Sequence, residues 1–301
     1  MSDQAQALRN LVLKGSNETN IRPDFTSTSD RQTRIITVTS GKGGVGKSNF
    51  TLNFALALQA RGYQVLVFDA DIGMANIDVL MGASPKYNLY HLLKHERTIE
   101  EIIFRGVNDL QFIPGGSGFN DLLSLSKPEL DYFTQQVYSL NGKVDFILFD
   151  TGAGLSKESM TFIAAAEQTI VVTTPEPTSI TDAYAIIKMV HAAEPNVRFQ
   201  LIVNRATDRK EGKQTADKIR MVAQQFLQLD IPTLGFLPDD ANVSKAVKRQ
   251  IPFSVLFPDS AASRELQELV ERFTSDRTLD QEAASERGVK RFLTRMLHLL
   301  K

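Results

Sequence analysis

Gly41-Lys42-Gly43-Gly44-Val45-Gly46-Lys47-Ser48 carries the densest chemical signal in the chain and contains G-x-x-x-x-G-K-S in full. Glycines let a backbone fold so that successive N–H groups face one anion, and a helix opening directly behind them adds its positive end. Lys47 is placed to meet the β- and γ-phosphates of a nucleotide, and Ser48 to offer its hydroxyl to Mg²⁺. The nucleotide-binding set on this loop is Gly41, Gly43, Gly44, Val45, Gly46, Lys47, Ser48 and Asn49. Carboxylates complete the chemistry. Asp69 and Asp71 alternate on one segment, so both can face the phosphates. Asp71 is expected to position an attacking water, and Asp69 to support the metal. Asp150 closes an apolar run and is followed by Thr151-Gly152-Ala153-Gly154, which suits a Mg²⁺-binding acid beside a turn able to move with a γ-phosphate. Strand-end aspartates also cap helices, and that reading stays open for either Asp69 or Asp71, as does a plain turn role for Asp150.

The same loop satisfies G-x-G-x-x-G through Gly41, Gly43 and Gly46, with Asp69 where a dinucleotide fold places its ribose acid. That reading leaves Lys47, Ser48 and Asp150 without a task, whereas a phosphate and Mg²⁺ site uses all three.

These residues need a scaffold, and the chain supplies one. The runs IITVT, YQVLVFD, LQFIP, VDFILFD, IVVTT, FQLIVN and TLGFLP are apolar and strand-length, and they alternate with helical patterns from Arg34 onward. Near-continuous apolar strands separated by helices predict an α/β fold, a mostly parallel sheet with helices on both faces. Ligands of such sheets bind at the carboxyl ends of the strands, where the loop and the acids fall. The polar, aperiodic stretches 16–33 and 275–287 read as linkers. They divide the chain into an N-terminal segment 1–15, a main domain 34–274 and a C-terminal helix 288–301.

Composition narrows the classes further. With 42% hydrophobic and 23% charged residues the chain is an ordinary globular one, and a formal net charge of -1 gives no global case for nucleic acid. The absence of cysteine excludes disulfides, cysteine-ligated clusters and a thiol nucleophile. No apolar run approaches membrane-spanning length, and the start MSDQAQALRN lacks a signal pattern, so the expected location is cytoplasmic with peripheral membrane contact. His91, His95, His191 and His298 are too scattered to suggest a metal site.

With these motifs together, the sequence resembles the MinD/ParA family, the SIMIBI-class P-loop ATPases with a deviant Walker A loop, over nearly the whole of 34–273. Lys42 is the telling residue. The resemblance implies that it reaches across an ATP-sandwiched homodimer to the partner's nucleotide and, with Lys47 and Asp71, serves hydrolysis. It implies ATP and Mg²⁺ as cofactors, with Ser48, Asp69 and Asp150 toward the metal. DADIGMANIDVLMG and DTGAGLS are similar to the family's two switches. Asn204-Arg205 and Pro238-Asp239, at strand ends, look like its adenine-contacting positions.

The ends of the chain narrow the resemblance to the FlhG (FleN, YlxH) branch. Asp3-Gln4-Ala5-Gln6-Ala7-Leu8-Arg9 resembles that branch's DQAQxLR element, which implies that Asp3, Gln4, Gln6, Leu8 and Arg9 engage the GTPase FlhF and that flagellar basal-body components are further partners. Pro114-Gly115-Gly116-Ser117-Gly118 is also similar to that branch. At the other end Val289, Phe292, Leu293, Met296, Leu297 and Leu300 recur at helical spacing beside Lys290, Arg291 and Arg295, the pattern of an interfacial helix on anionic lipid. An ordinary helix docking on the core explains the same stripe. The expected function is an ATP-driven, membrane-visiting regulator of flagellar number and placement. A MinD-type regulator of the division site and a non-hydrolysing nucleotide-bound scaffold are the alternatives.

Overall fold

Strand-length apolar runs form the middle of the molecule, and helices that are apolar on one side cover it. The computed structural model describes residues 33–71, 76–116, 125–275 and 288–300. In chain order the elements are β1 (Arg34–Thr39), α1 (Lys47–Ala60), β2 (Val65–Ala70), α2 (Ile77–Leu80), α3 (Leu89–Leu93), α4 (Ile99–Ile102), β3 (Phe104–Arg105), β4 (Gln111–Ile113), α5 (Lys127–Tyr138) and β5 (Phe146–Thr151). They continue as α6 (Lys157–Ala165), β6 (Gln168–Thr173), α7 (Pro177–Ala193), β7 (Arg198–Ala206), α8 (Arg209–Leu227), β8 (Thr233–Pro238), α9 (Ala241–Lys248), α10 (Phe253–Leu256), α11 (Ala261–Ser275) and α12 (Val289–Leu299).

The sheet has eight strands in the order β3-β4-β2-β5-β1-β6-β7-β8. All pairings are parallel except β3 with β4. The α/β expectation is therefore met. The antiparallel edge strand β3, only two residues long, is new relative to the sequence reading, and so short an edge offers little backbone to a passing strand.

Strand periodicity aims the acids. Val65 and Val67 of β2, with Phe146 and Leu148 of β5, pack into the core layer that holds α1 and α11. Leu66, Phe68, Ile147 and Phe149 face the opposite layer. Alternate residues share a face, so Asp69 and Asp150 continue the α1 side, and the two are direct partners across the β2–β5 ladder.

The structure places α12 on the domain itself. Val289, Phe292, Leu293 and Met296 are buried and join the layer containing Phe149 and Phe162. The Phe292 ring stacks on Phe149 at 4.9 Å and on Phe162 at 6.3 Å. Arg291 pairs with Glu167 at 3.3 Å and Arg295 with Glu194 at 3.1 Å, while Lys290 stays exposed. The stripe drawn toward lipid by the sequence reading thus meets apolar protein here, and most of its basic flank meets acids. Leu297 and Leu300 are half-buried. The N-terminal element, with Asp3, Gln4, Gln6, Leu8 and Arg9, and both linkers apart from Thr33 and Ser275 lie outside the described residues.

Candidate nucleotide site

The phosphate loop joins β1 to α1 and is held tight from two sides. A Cβ added at Gly41 would lie 2.2 Å from the Asp182 backbone carbonyl in α7, so only glycine permits that approach. Gly46 sits at φ 90°, a region L side chains rarely adopt. It caps α1 with no side-chain hydrogen bond, and the first turn of that helix holds no acid. The N–H groups of the first turn therefore lack a side-chain acceptor, which is what a helix needs to receive an anion.

Lys47 extends from that turn and is almost fully buried, at 6% exposure. Its Nζ lies 3.0 Å from Asp150 Oδ1 and 3.7 Å from Asp71 Oδ2, and it donates to Ser48 Oγ at 3.2 Å. Asp150 is fully buried. Its Oδ1 also accepts from Thr51 Oγ at 2.8 Å, while its Oδ2 has no hydrogen-bond partner among the described residues. A buried carboxylate oxygen without a donor is costly unless something meets it. Together with the Ser48 hydroxyl it forms an oxygen donor set of the kind hard Mg²⁺ takes. The residues fit such an ion.

Asp69 is engaged by backbone donors on both oxygens. Its Oδ1 accepts the Asp71 N–H at 3.2 Å, and its Oδ2 accepts those of Asn76 at 3.1 Å and Ile77 at 3.2 Å. Both oxygens accept backbone N–H groups, and the bond from Ile77 at the start of α2 is the capping role that had stayed open. Burial, and then the neighbouring Asp150 charge, push its pKa up to about 7 against the pull of those backbone donors. For Asp71 burial is likewise the main cause of a raised pKa; Lys47 opposes it and Asp150 reinforces it. A Cβ added at Gly152 would come within 3.3 Å of Asp71 Oδ1, so the second switch lies directly against this acid.

Gly152 lines one cavity of about 810 Å³, together with Asn204, Arg205, Pro238 and Asp239 from the ends of β7 and β8, while Asp69 and Asp150 are buried and outside its lining. Gly43, Gly44, Gly46, Lys47, Ser48, Asn49 and Asp71 line it too. The structure thus brings the phosphate loop and the strand-end residues to one space. Lys42 turns away from Lys47, donating to Glu176 Oε2 at 3.0 Å and Thr178 Oγ at 3.0 Å at the start of α7. Thr51, Glu176 and Thr178 are absent from the sequence reading. A threonine inside a helix and an acid before a proline carry no spacing signal, and only the fold brings them to the loop.

A parallel sheet with a glycine-lysine loop at the carboxyl end of β1, an uncapped helix behind it and a buried strand-end acid define a P-loop nucleotide-binding domain. The family model for the CobQ/CobB/MinD/ParA nucleotide binding domain matches residues 36–253, and the chain belongs to that family as a P-loop ATPase of the MinD/ParA type. The chain is 36% identical over 230 residues to the antiactivator FleN of Pseudomonas aeruginosa, covering 76% of this chain and 82% of FleN. It is 35% identical over 302 residues to the flagellum site-determining protein YlxH of Helicobacter pylori, covering 100% of both chains. Both relatives carry names of the FlhG (FleN, YlxH) branch that the sequence resembles. Among solved structures, the septum site-determining protein MinD of Pyrococcus horikoshii, complexed with Mg-ADP, superposes with a TM-score of 0.67 at 27% identity, covering 84% of this chain and 99% of that one.

Proposed function

We propose that this chain is a MinD-like ATPase that dimerises with ATP, associates with anionic membrane and regulates flagellar number and placement, activating the GTPase FlhF through its N-terminal DQAQALR segment. The observation that carries the proposal is that Lys47 and Asp71 line one cavity, with the buried Asp150 carboxylate 3.0 Å from Lys47, while Lys42, on the same loop, stays half exposed. Phosphoryl transfer requires positioning and charge compensation above all. Lys47 holds the phosphates, Ser48 and Asp150 hold Mg²⁺, which neutralises phosphate charge when bound, and Asp71 orients the water. Lys42 enters the partner subunit's site. Its pair with Glu176 is exposed on both sides, and such pairs contribute only about 0–1 kcal/mol, so exchanging Glu176 for a phosphate meets little resistance. Arg205, Pro238 and Asp239 border the adenine. The relatives named for flagellum site determination and antiactivation support the flagellar part of this reading.

Liposome sedimentation with ADP and with ATP, on the full chain and on one ending before Gly288, tests it. ATP-dependent sedimentation of the full chain, lost on truncation, is the expected result, with FlhF hydrolysis rising on addition of the full chain and failing to rise when residues 3–9 are deleted. No sedimentation with either nucleotide overturns the membrane reading. One observation favours a second reading in which α12 is a structural helix and the protein acts in solution: its four central apolar side chains are already buried in the core.

A further inference from the structure

The turn after β5 is tied at both ends to β1 and the residue that follows it. Thr151 Oγ donates to the Val38 carbonyl at 3.1 Å, and the Gly154 N–H donates to the Ser40 carbonyl at 2.9 Å. Between these ties the Gly152 carbonyl turns to α6, where it accepts from Ser159 Oγ at 3.2 Å. Ser159 is buried, at 2% exposure, and its hydroxyl is itself oriented. Ser156 Oγ, which caps α6, donates to Ser159 Oγ at 3.0 Å and accepts the Ser159 N–H at 3.1 Å. A hydroxyl has one proton to give, so the bonds run in one direction, from Ser156 to Ser159 to Gly152.

Which way the Gly152–Ala153 peptide faces decides what the turn offers to the cavity. In a trans peptide the C=O and the following N–H point opposite ways, and the described residues contain no cis bond. Holding the Gly152 carbonyl on Ser159 therefore aims the Ala153 N–H away from that hydroxyl, and Ala153 is exposed on the cavity wall. The charged groups are close by. A Cβ added at Gly152 would come within 3.1 Å of Ser159 Oγ and 3.3 Å of Asp71 Oδ1, and Asp71 is the acid beside Lys47. Glycine leaves this peptide free to turn over, and a turned peptide would offer a carbonyl oxygen where an anion needs a donor. Among the described residues, Ser159 supplies the side-chain bond that holds it.

A phosphate chain that begins on the phosphate loop and ends beside Lys47 and Asp71 brings its last phosphate to this peptide. We propose that Ser159 is a positioning residue: its hydroxyl holds the Ala153 N–H toward the terminal phosphate and so sets how far the site favours a nucleoside triphosphate over a diphosphate. The inference rests on the reading of this cavity as a nucleotide site, and it gives Ser159 an action through the turn rather than on the reacting atoms.

Ser159→Ala removes the hydroxyl and adds no bulk, and two measurements on the full chain test it. The first is calorimetric binding of AMPPNP and of ADP with Mg²⁺. The variant is expected to lose about tenfold in AMPPNP affinity while ADP affinity holds, so the preference for the triphosphate falls by the same factor. The second is amide hydrogen exchange without nucleotide, read residue by residue. Exchange of the Gly154 amide is expected to speed about tenfold in S159A, with strands β1 and β5 unchanged. An equal loss for both nucleotides, which leaves their ratio where it was, would make Ser159 a purely structural residue and overturn the proposal. An unchanged ratio with no loss, or unchanged exchange at Gly154, overturns it as well. Wild type that binds neither AMPPNP nor ADP overturns the nucleotide reading instead, while the exchange measurement, which needs no ligand, still decides whether Ser159 holds the turn.

Discussion

Thr51 illustrates how much of the site depends on one hydroxyl. Its Oγ is fully buried and lies within reach of the Lys47 carbonyl at 3.0 Å and of Asp150 Oδ1 at 2.8 Å. A hydroxyl has a single proton to give, and the charged, nearer carboxylate is the stronger acceptor. Thr51 thereby fixes one oxygen of Asp150, and leaves the buried Oδ2 as the oxygen without a protein donor. Thr51→Val keeps the volume and removes the proton. It should cost about 1–3 kcal/mol of stability, lower kcat for ATP hydrolysis about tenfold or more, and raise the Mg²⁺ concentration needed for tight binding of a fluorescent ADP. Thr51→Ser should restore all three. Hydrolysis and Mg²⁺ dependence unchanged in the valine variant would show that Asp150 holds its orientation without help.

Among the elements, those with one possible burial partner were legible and those with two were not. β1, β2 and β5 are apolar on both faces because helices cover both faces of the sheet, and no other element type fits runs of that length. Asp69 was legible as a strand-end acid beside the site, but its duty as a cap depends on Asn76 and Ile77 bringing their N–H groups back to it, a turn that no spacing announces. α12 is the sharper case. A bilayer and a protein core are both apolar, so one stripe of Val, Phe, Leu and Met suits either, and the acids that meet Arg291 and Arg295 come from positions 167 and 194, far away in sequence. Because Phe292 is buried against two phenylalanine rings, Phe292→Ala should destabilise the protein by about 3–5 kcal/mol. That lowers the thermal midpoint by about 2–4 °C per kcal/mol in a domain of this size. Circular dichroism melts in the absence of lipid read the effect. A midpoint unmoved by the substitution would mean that α12 adds nothing to the fold and is held for another purpose.

For the molecule as a whole, the proposed membrane cycle requires α12 to leave a site it already fits. Burying its apolar side chains contributes about 1.5–3 kcal/mol each, and a bilayer returns a similar amount, while anionic headgroups replace Glu167 and Glu194 for the two arginines. One helix on one subunit is therefore near balance between core and membrane, and a single weak anchor binds only marginally. Two anchors on one dimer shift the balance, because the second engages at a high effective concentration. On the proposed function, ATP would control membrane residence through assembly, and Asp71 would set how long assembly lasts. Asp71 lies 3.7 Å from Lys47 and against Gly152 of the turn after β5, where losing its carboxylate would remove the group proposed to orient water and leave the phosphate loop intact. Asp71→Ala with ATP should run by multi-angle light scattering at about twice the 33.5 kDa of one chain and persist as a dimer, where wild type reverts to monomer as ATP is consumed. Adding Lys42→Ala should abolish that dimer, because no cation then crosses to the partner's phosphates. On liposomes, Asp71→Ala should sediment for as long as ATP is present, and the same variant ending before Gly288 should not. An Asp71→Ala protein that remains monomeric with ATP would remove the link between nucleotide and membrane, and would leave α12 as a core helix.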